Sequence, residues 1–362
     1  MRELQREPMA TPNKHERITA GKAGLLFALF FLIALGLGYP VLNRYDPRQT
    51  PGLSDVRIYA DMVSGSVGAQ STDGPRVNHV RFRVLVPDIA KPVYWIATGR
   101  TASWDPVMLA LLVADSLFVA ATCVLMVVLG VGQLENAGVG LLGAFVYLVN
   151  FAVPNLRLVG LVDASEGFFL LCLLWGLAEG ELWFLPVIAA LGTLAKESFI
   201  PLSIALGAAW WLEELRERVP AKQRLRPTLR KTAIWIGVSW AASVSAFIAL
   251  HYAVERRFIS PVRFAFALHE EHPANGYVDH VAAALGDHQF WYIFLWLLPL
   301  AIPNLKRFSG PWLRATGVAC IAAFVLDAYY GGAPGTIGRV LFSIAAPTLS
   351  LSTAMLLEKI VD

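Results

Sequence analysis

Apolar residues in this chain come in long blocks, without the strict alternation of a half-buried strand or the single stripe of a surface helix. Blocks near the ~20 residues needed to cross a hydrocarbon layer recur at 22–41, 106–131, 138–153, 166–180, 182–196, 198–213, 232–252, 290–303, 315–330 and 338–357. Several are short or broken by Pro or Gly. The pattern predicts an all-α integral membrane protein of about ten transmembrane helices. Residues 23–39 resemble the apolar part of a signal peptide. The run is long, however, and no small-residue cleavage site precedes "YPVLNRYD", so it is read as an uncleaved first helix.

The polar gaps organise the rest. Residues 1–21 form an N-terminal tail, and 22–362 a single polytopic membrane domain with two long connections, 42–105 and 253–289. Basic residues concentrate in the tail (Arg2, Arg6, Lys14, Arg17), at Lys22, in the 214–231 connection (Arg216, Arg218, Lys222, Arg224, Arg226, Arg230, Lys231) and around Lys306, Arg307 and Arg314. Short connections rich in Lys and Arg mark the cytoplasmic side. The expected protein therefore lies in the cytoplasmic membrane with both termini inside, and the two long connections and residues 331–339 outside.

Composition agrees. With 56% hydrophobic residues, 16% charged residues and a mean hydropathy of +0.55 over 362 residues, there is too little polar surface to wrap a soluble globule of this size. The net charge of +3 is mostly topology. The basic 214–231 run sits where the orientation rule wants it, so no nucleic-acid partner is expected. Cys123, Cys172 and Cys320 all fall in apolar blocks and read as packing thiols. No internal repeat or low-complexity linker is evident.

The first external connection is too patterned to be slack. Pro47 and Pro51-Gly52 break the chain, Ser54 is placed to cap a helix, and Asp55 to Ser64 has helical character, with Asp55, Tyr59 and Met62 on one face. A Gly/Ser-rich turn over 65–74 leads to "HVRFRVLVPDIAKPVYWI", read as a second interfacial segment interrupted at Pro87 and Pro92. Each piece has an ordinary explanation: Asp55 favours the helix dipole, Tyr59 anchors at headgroup level, and Arg81 and Arg83 meet lipid phosphates.

The order of pieces adds more. An Asp-x-x-x-Tyr helix follows the first span, then Arg83-x-Leu-x-Pro87 before the second. "LVDASEG" places Asp163 at the outer start of one span, "GTLAKES" places Lys196 and Glu197 at the outer end of another, and "TIGRVLFSIAAP" places Arg339 at the start of the last. This resembles the GT-C superfamily of polytopic membrane glycosyltransferases, whose first external loop carries a functional acid and interfacial helices. The resemblance implies a GT-C-like fold and transfer of a sugar from a polyprenyl-phosphate carrier to a glycan, lipid or protein acceptor at the outer face. It makes Asp55 the catalytic carboxylate, Tyr59, Arg83, Lys196 and Arg339 the residues that bind substrate and lipid phosphate, and Asp163, Glu166 and Glu197 acceptor-orienting groups. The chain departs from the pattern in lacking an Asp-x-Asp or Glu-x-Asp pair in the loop, so a divalent cation such as Mg or Mn stays open as a cofactor and no metal ligand is assigned.

Other readings compete. Lys196 can snorkel and pair with Glu197, and capping explains Asp163 almost as well as an acceptor role. Asp115 and Asp327 lie in or near hydrocarbon, where a carboxylate is costly without a partner, and Asp327 is placed to meet Arg339. "HEEHPANGYVDH" holds His269, Glu270, Glu271, His272 and His280, but without the His-Glu-x-x-His spacing of a helical zinc site. It reads better as a flap over the site. A transporter or flippase of lipid-linked intermediates also wants many helices and intramembrane charge, and a non-catalytic scaffold is a third reading.

Overall fold

A computed structural model describes residues 18–50, 53–66, 80–101, 103–218, 227–256, 258–262, 264, 277–330 and 336–361. Among them the chain is helical throughout, with no strand. The first block forms α1 (Ala20–Gly38) and, after a break at Pro40, the short α2 (Pro40–Asn43). The 42–105 connection supplies α3 (Asp55–Ser64) and α4 (Leu85–Ala97). Then come α5 (Pro106–Leu134), α6 (Ala137–Val149), α7 (Asp163–Glu179), α8 (Leu185–Ala195), α9 (Phe199–Arg218) and α10 (Pro227–Glu255). The chain continues through α11 (Tyr277–Gly286), α12 (His288–Phe294), α13 (Leu297–Ala301), α14 (Gly310–Tyr330) and α15 (Thr336–Val361).

Each expected block is helical, but the blocks are not equal. Among the described residues, five helical stretches are long and apolar enough to cross a membrane: Ala20–Asn43, Pro106–Leu134, Leu229–Glu255, Gly310–Tyr329 and Thr336–Ile360. Ala137–Val149 and Leu182–Ala195 are apolar but shorter. The 290–303 block is not one helix. It is divided among α12, α13 and a 3₁₀ segment, Ile302–Arg307, with Pro299 and Pro303 inside the stretch, as expected where a residue without an N–H enters a helix.

Burial separates inner helices from outer ones. The apolar windows of α15 and α5 are 78% and 67% buried, against 22% for those of α1 and α10. The bundle is thus built around α5 and α15, with α6 and α7 packed on both. Close approach needs small residues: a Cβ at Gly130 of α5 would lie 2.4 Å from the Gly140 Cα of α6. Local signals start the inner helices. Asp105 caps α5 by accepting from the Val107 and Met108 amides, with Pro106 at the first helical position, and Asn136 caps α6 through the Val139 amide. Arg48 ties this corner to the segment after α2, meeting Asp46 and Asp105 at 2.8 Å each. The Arg48 hydrogen bonds are the main reason the Asp46 carboxyl is held below its ordinary range.

Two readings of the 42–105 connection are corrected. Ser54 makes no side-chain capping bond; α3 instead ends at Gly65, whose φ of 79° suits a residue without a Cβ. The segment read as a second interfacial one is not interrupted at its prolines. α4 runs continuously through Pro92, and Pro87 lies in its first turn, where an amide has no partner to lose. Trp95 and Ile96 near its end are exposed, while Val86 and Ala90 are buried, so α4 has one face on the protein and large apolar groups turned away from it. The "HEEH" motif, residues 67–79 and the glycine-rich 331–335 segment lie outside the described residues. His280 falls on α11.

Candidate ionic site at one end of the bundle

The most buried ion pairs of this apolar molecule gather where helices start and end. At one end, α7 and α15 begin, α8 finishes, and α3 and the start of α4 pack alongside. The opposite ends of these helices carry ordinary tethers, such as Gln133 to Glu179 and Asn136 to Glu358.

Arg83 is the hub of the first half of the site. It sits just before α4 and is only 8% exposed. Its Nε and Nη2 donate to the two Glu197 carboxylate oxygens at 2.8 and 2.5 Å, and Nη1 donates to Asp55 Oδ2 at 3.1 Å and to the Tyr59 hydroxyl at 3.0 Å. A planar guanidinium can make these four hydrogen bonds at once, two of them parallel to one carboxylate; a lysine, with three N–H groups on one atom, cannot. Burial disfavours the charge on Arg83, but Glu197, Tyr59 and Asp55 outweigh it and hold its pKa well above the ordinary value. Burial is also the main reason the Tyr59 hydroxyl is shifted upward, so it stays a neutral hydrogen-bonding group.

The second half is centred on Lys196, the residue that ends α8. Its Nζ donates to Asp163 Oδ1 at 2.7 Å and to Glu166 Oε2 at 3.0 Å. Glu166 also accepts from the Ser198 hydroxyl, and Arg339 Nη1 lies 3.6 Å from Asp163 Oδ2. Asp163 and Glu166, one turn apart on α7, face the same cation, as i,i+3 residues of a helix should. The expected pairing of Lys196 with Glu197 is not formed: these neighbours turn to opposite halves and thereby link them. Asp163 opens α7 as an ion-pair partner with no capping bond, the N-cap being Val162. Arg339 meets Asp163, a partner other than the expected Asp327.

Exposure is graded across the cluster. Asp163 and Glu166 side chains are 4% and 0% exposed, Lys196 9%, Arg339 14%, Glu197 17% and Asp55 31%. Asp55 is therefore the most exposed carboxylate of the cluster.

One further buried residue joins that the sequence did not mark, Arg157, and Asp115, expected to be costly in hydrocarbon without a partner, finds one. Arg157, 1% exposed in a single π-helical turn, Val153–Arg157, donates to the Asp163 carbonyl oxygen, to the Arg339 carbonyl oxygen at 2.7 Å and to Ser343 Oγ at 2.8 Å. Its guanidinium lies over the Phe342 ring, 5.1 Å from the centroid. It locks the starts of α7 and α15 together. Asp115, fully buried in α5, accepts from the Gly160 amide at 2.9 Å. The available signal for Arg157 was a basic residue between apolar runs, "VPNLRLVGL".

The site thus sets Asp55, Glu197, Asp163 and Glu166 against Arg83, Lys196, Arg339 and Arg157. Among the described residues there is no group of three or more His, Cys, Asp or Glu side chains that could hold a metal ion. The carboxylates here already face cations, which suits an ionic lattice better than a divalent-cation site. No protein-family model matches this chain, and no curated protein matches it either. The fold and site define an all-helical protein with membrane-length apolar helices and a half-buried ionic cluster at one end.

Proposed function

We propose that the protein is a GT-C-like membrane glycosyltransferase that moves a sugar from a polyprenyl-phosphate carrier to an acceptor at the outer face of the cytoplasmic membrane. The observation that carries this reading is the convergence of Asp55, Tyr59, Arg83, Asp163, Glu166, Lys196, Glu197 and Arg339, drawn from separate helices, on one cluster with Asp55 at its open side.

The acceptor hydroxyl or amine forms a bond to the anomeric carbon as the bond from that carbon to the carrier's phosphate oxygen breaks. The bonding pair leaves with the phosphate, and the acceptor's proton passes to Asp55. Arg83 holds the Asp55 carboxylate in place through Oδ2. Positive charge from Arg339 and Lys196 offsets the charge gathering on the leaving phosphate, an effect that strengthens where water is scarce. Tyr59 supplies a neutral hydroxyl beside the acid. Arg157 touches backbone and Ser343 and acts as a positioning residue.

The test is mass spectrometry of lipid-linked sugars and envelope glycans from a deletion strain complemented with wild type or Asp55→Ala at matched membrane abundance. The reading expects loss of one glycosyl addition and accumulation of the unused lipid-linked sugar in both the deletion and the Asp55→Ala strain. Full rescue by Asp55→Ala removes the assigned acid and shifts weight to a flippase or scaffold.

A further inference from the structure

Beside the ionic cluster lies a histidine that the mechanism does not use. His251 is near the end of α10, is 0% exposed, and among the described residues has no hydrogen-bond partner on either ring nitrogen. Its ring stacks on Phe82 with centroids 3.6 Å apart, packs against Phe247 at 4.2 Å, and meets the edge of Phe264 at 5.1 Å. Phe82 immediately precedes Arg83. α10 packs along α8, the helix that Lys196 terminates, and His251 is within electrostatic reach of the Glu197 charge.

An imidazole has one donor and one acceptor when neutral and two donors when charged. Burying both groups unused is costly, and a Phe or Leu would fill the same aromatic box without that cost. The charge pattern points to what the ring serves. Arg83 is held by Glu197 and Asp55, Lys196 by Asp163 and Glu166, and Arg339 by Asp163. Among the described residues, His251 is a donor beside the cluster that no carboxylate claims. In either protonation state it offers an N–H to an anionic oxygen. Its phenylalanine walls favour a phosphate that carries an apolar chain over the free anion.

We infer that His251 is a substrate-binding residue that donates a hydrogen bond to the phosphate of a prenyl-phosphate ligand, with Phe82, Phe247 and Phe264 lining the path of the first isoprene units. This rests on the transferase reading for the identity of the carrier and adds a site residue to it.

The experiment uses the full chain in lipid nanodiscs, titrated with farnesyl phosphate, and with farnesol and inorganic phosphate as separate competitors. His251→Phe fills the box without a donor and is expected to weaken farnesyl phosphate binding about tenfold or more, the effect of one lost hydrogen bond to a charged group. His251→Gln keeps an N–H and is expected to stay within about threefold of wild type. Unchanged affinity in His251→Phe overturns the inference and leaves the transferase reading standing. No binding of farnesyl phosphate to wild type overturns both. Competition by inorganic phosphate as strong as that of farnesyl phosphate overturns the prenyl assignment. Where His251→Phe does not fold, wild type labelled with ¹⁵N in its histidine rings decides the matter. Farnesyl phosphate must shift a ring resonance that is missing from His251→Gln, and an unmoved resonance overturns the inference.

Discussion

Replacing Arg83 by Met probes how the first half of the site is held. The change keeps an apolar stem of similar length and deletes every contact of the guanidinium. The main loss is the bidentate bond to Glu197, between side chains only 10% and 17% exposed; breaking a buried pair by removing one member typically costs about 3–5 kcal/mol, because the other charge stays behind. The Tyr59 hydroxyl, on a residue that is 0% exposed, loses a donor as well, which alone is worth about 1–3 kcal/mol. Asp55, 31% exposed, is solvated enough that its pair adds at most about 1 kcal/mol. These losses share one environment and do not add, so the expected destabilisation is about 3–5 kcal/mol in all. Equilibrium unfolding of the full chain in mixed micelles measures it. Adding Glu197→Gln to Arg83→Met removes the stranded charge and should restore about half of the loss or more. A cost for Arg83→Met below about 1 kcal/mol, or a double variant as damaged as the sum of its singles, refutes this account of the cluster.

Further outcomes follow from other contacts. Gly130→Ala should destabilise by about 1–3 kcal/mol, because the new Cβ lands 2.4 Å from the Gly140 Cα and backbone cannot yield as a side chain can; the same unfolding assay reads it, and a neutral result contradicts the α5–α6 crossing. Arg157→Lys keeps the charge but loses the fork that spans Asp163, Arg339 and Ser343; sugar transfer should fall with lost stability, and a variant with wild-type stability and activity removes the positioning role. Asp46 has a folded-state pKa below its unfolded value, so its contribution is present at neutral pH and fades as pH falls through the folded value. Asp46→Asn should therefore cost at most about 1 kcal/mol at pH 7, given its partial exposure, and progressively less in acid; a pH-independent difference in stability is the contrary result.

Much of this arrangement was legible in the chain, for identifiable reasons. α3 spans the residues that its apolar and polar positions mark, Asp55 to Ser64, because a helix-length run between Pro51-Gly52 and Gly65 leaves few alternatives. Candidates separated by hundreds of residues meet because helix starts and ends alternate between the two faces of a bundle, so a charge at the correct end of each block is already near the others. Partner choice was not legible. Lys196 and Glu197 are adjacent, and only the extended backbone at Lys196, where α8 ends, sends them to Asp163 and Arg83 respectively. Arg157 and His251 escaped notice because each sits in an apolar run and earns its contacts from distant elements, Ser343 and Phe82 among them. Blocks of similar hydropathy also hide differences in continuity, as the division of residues 290–303 into short pieces shows.

The most direct test of the central claim joins purified wild-type or Asp55→Asn protein in nanodiscs with the lipid fraction of the deletion strain and an envelope acceptor fraction, and follows polyprenyl phosphate released from its sugar. Asp55→Asn keeps the shape and the exposed setting of Asp55 but cannot take a proton. Release by wild type, reduced about 10²–10⁴-fold in Asp55→Asn at unchanged stability, is the predicted result. Equal release by the two proteins, or none by wild type, would contradict it.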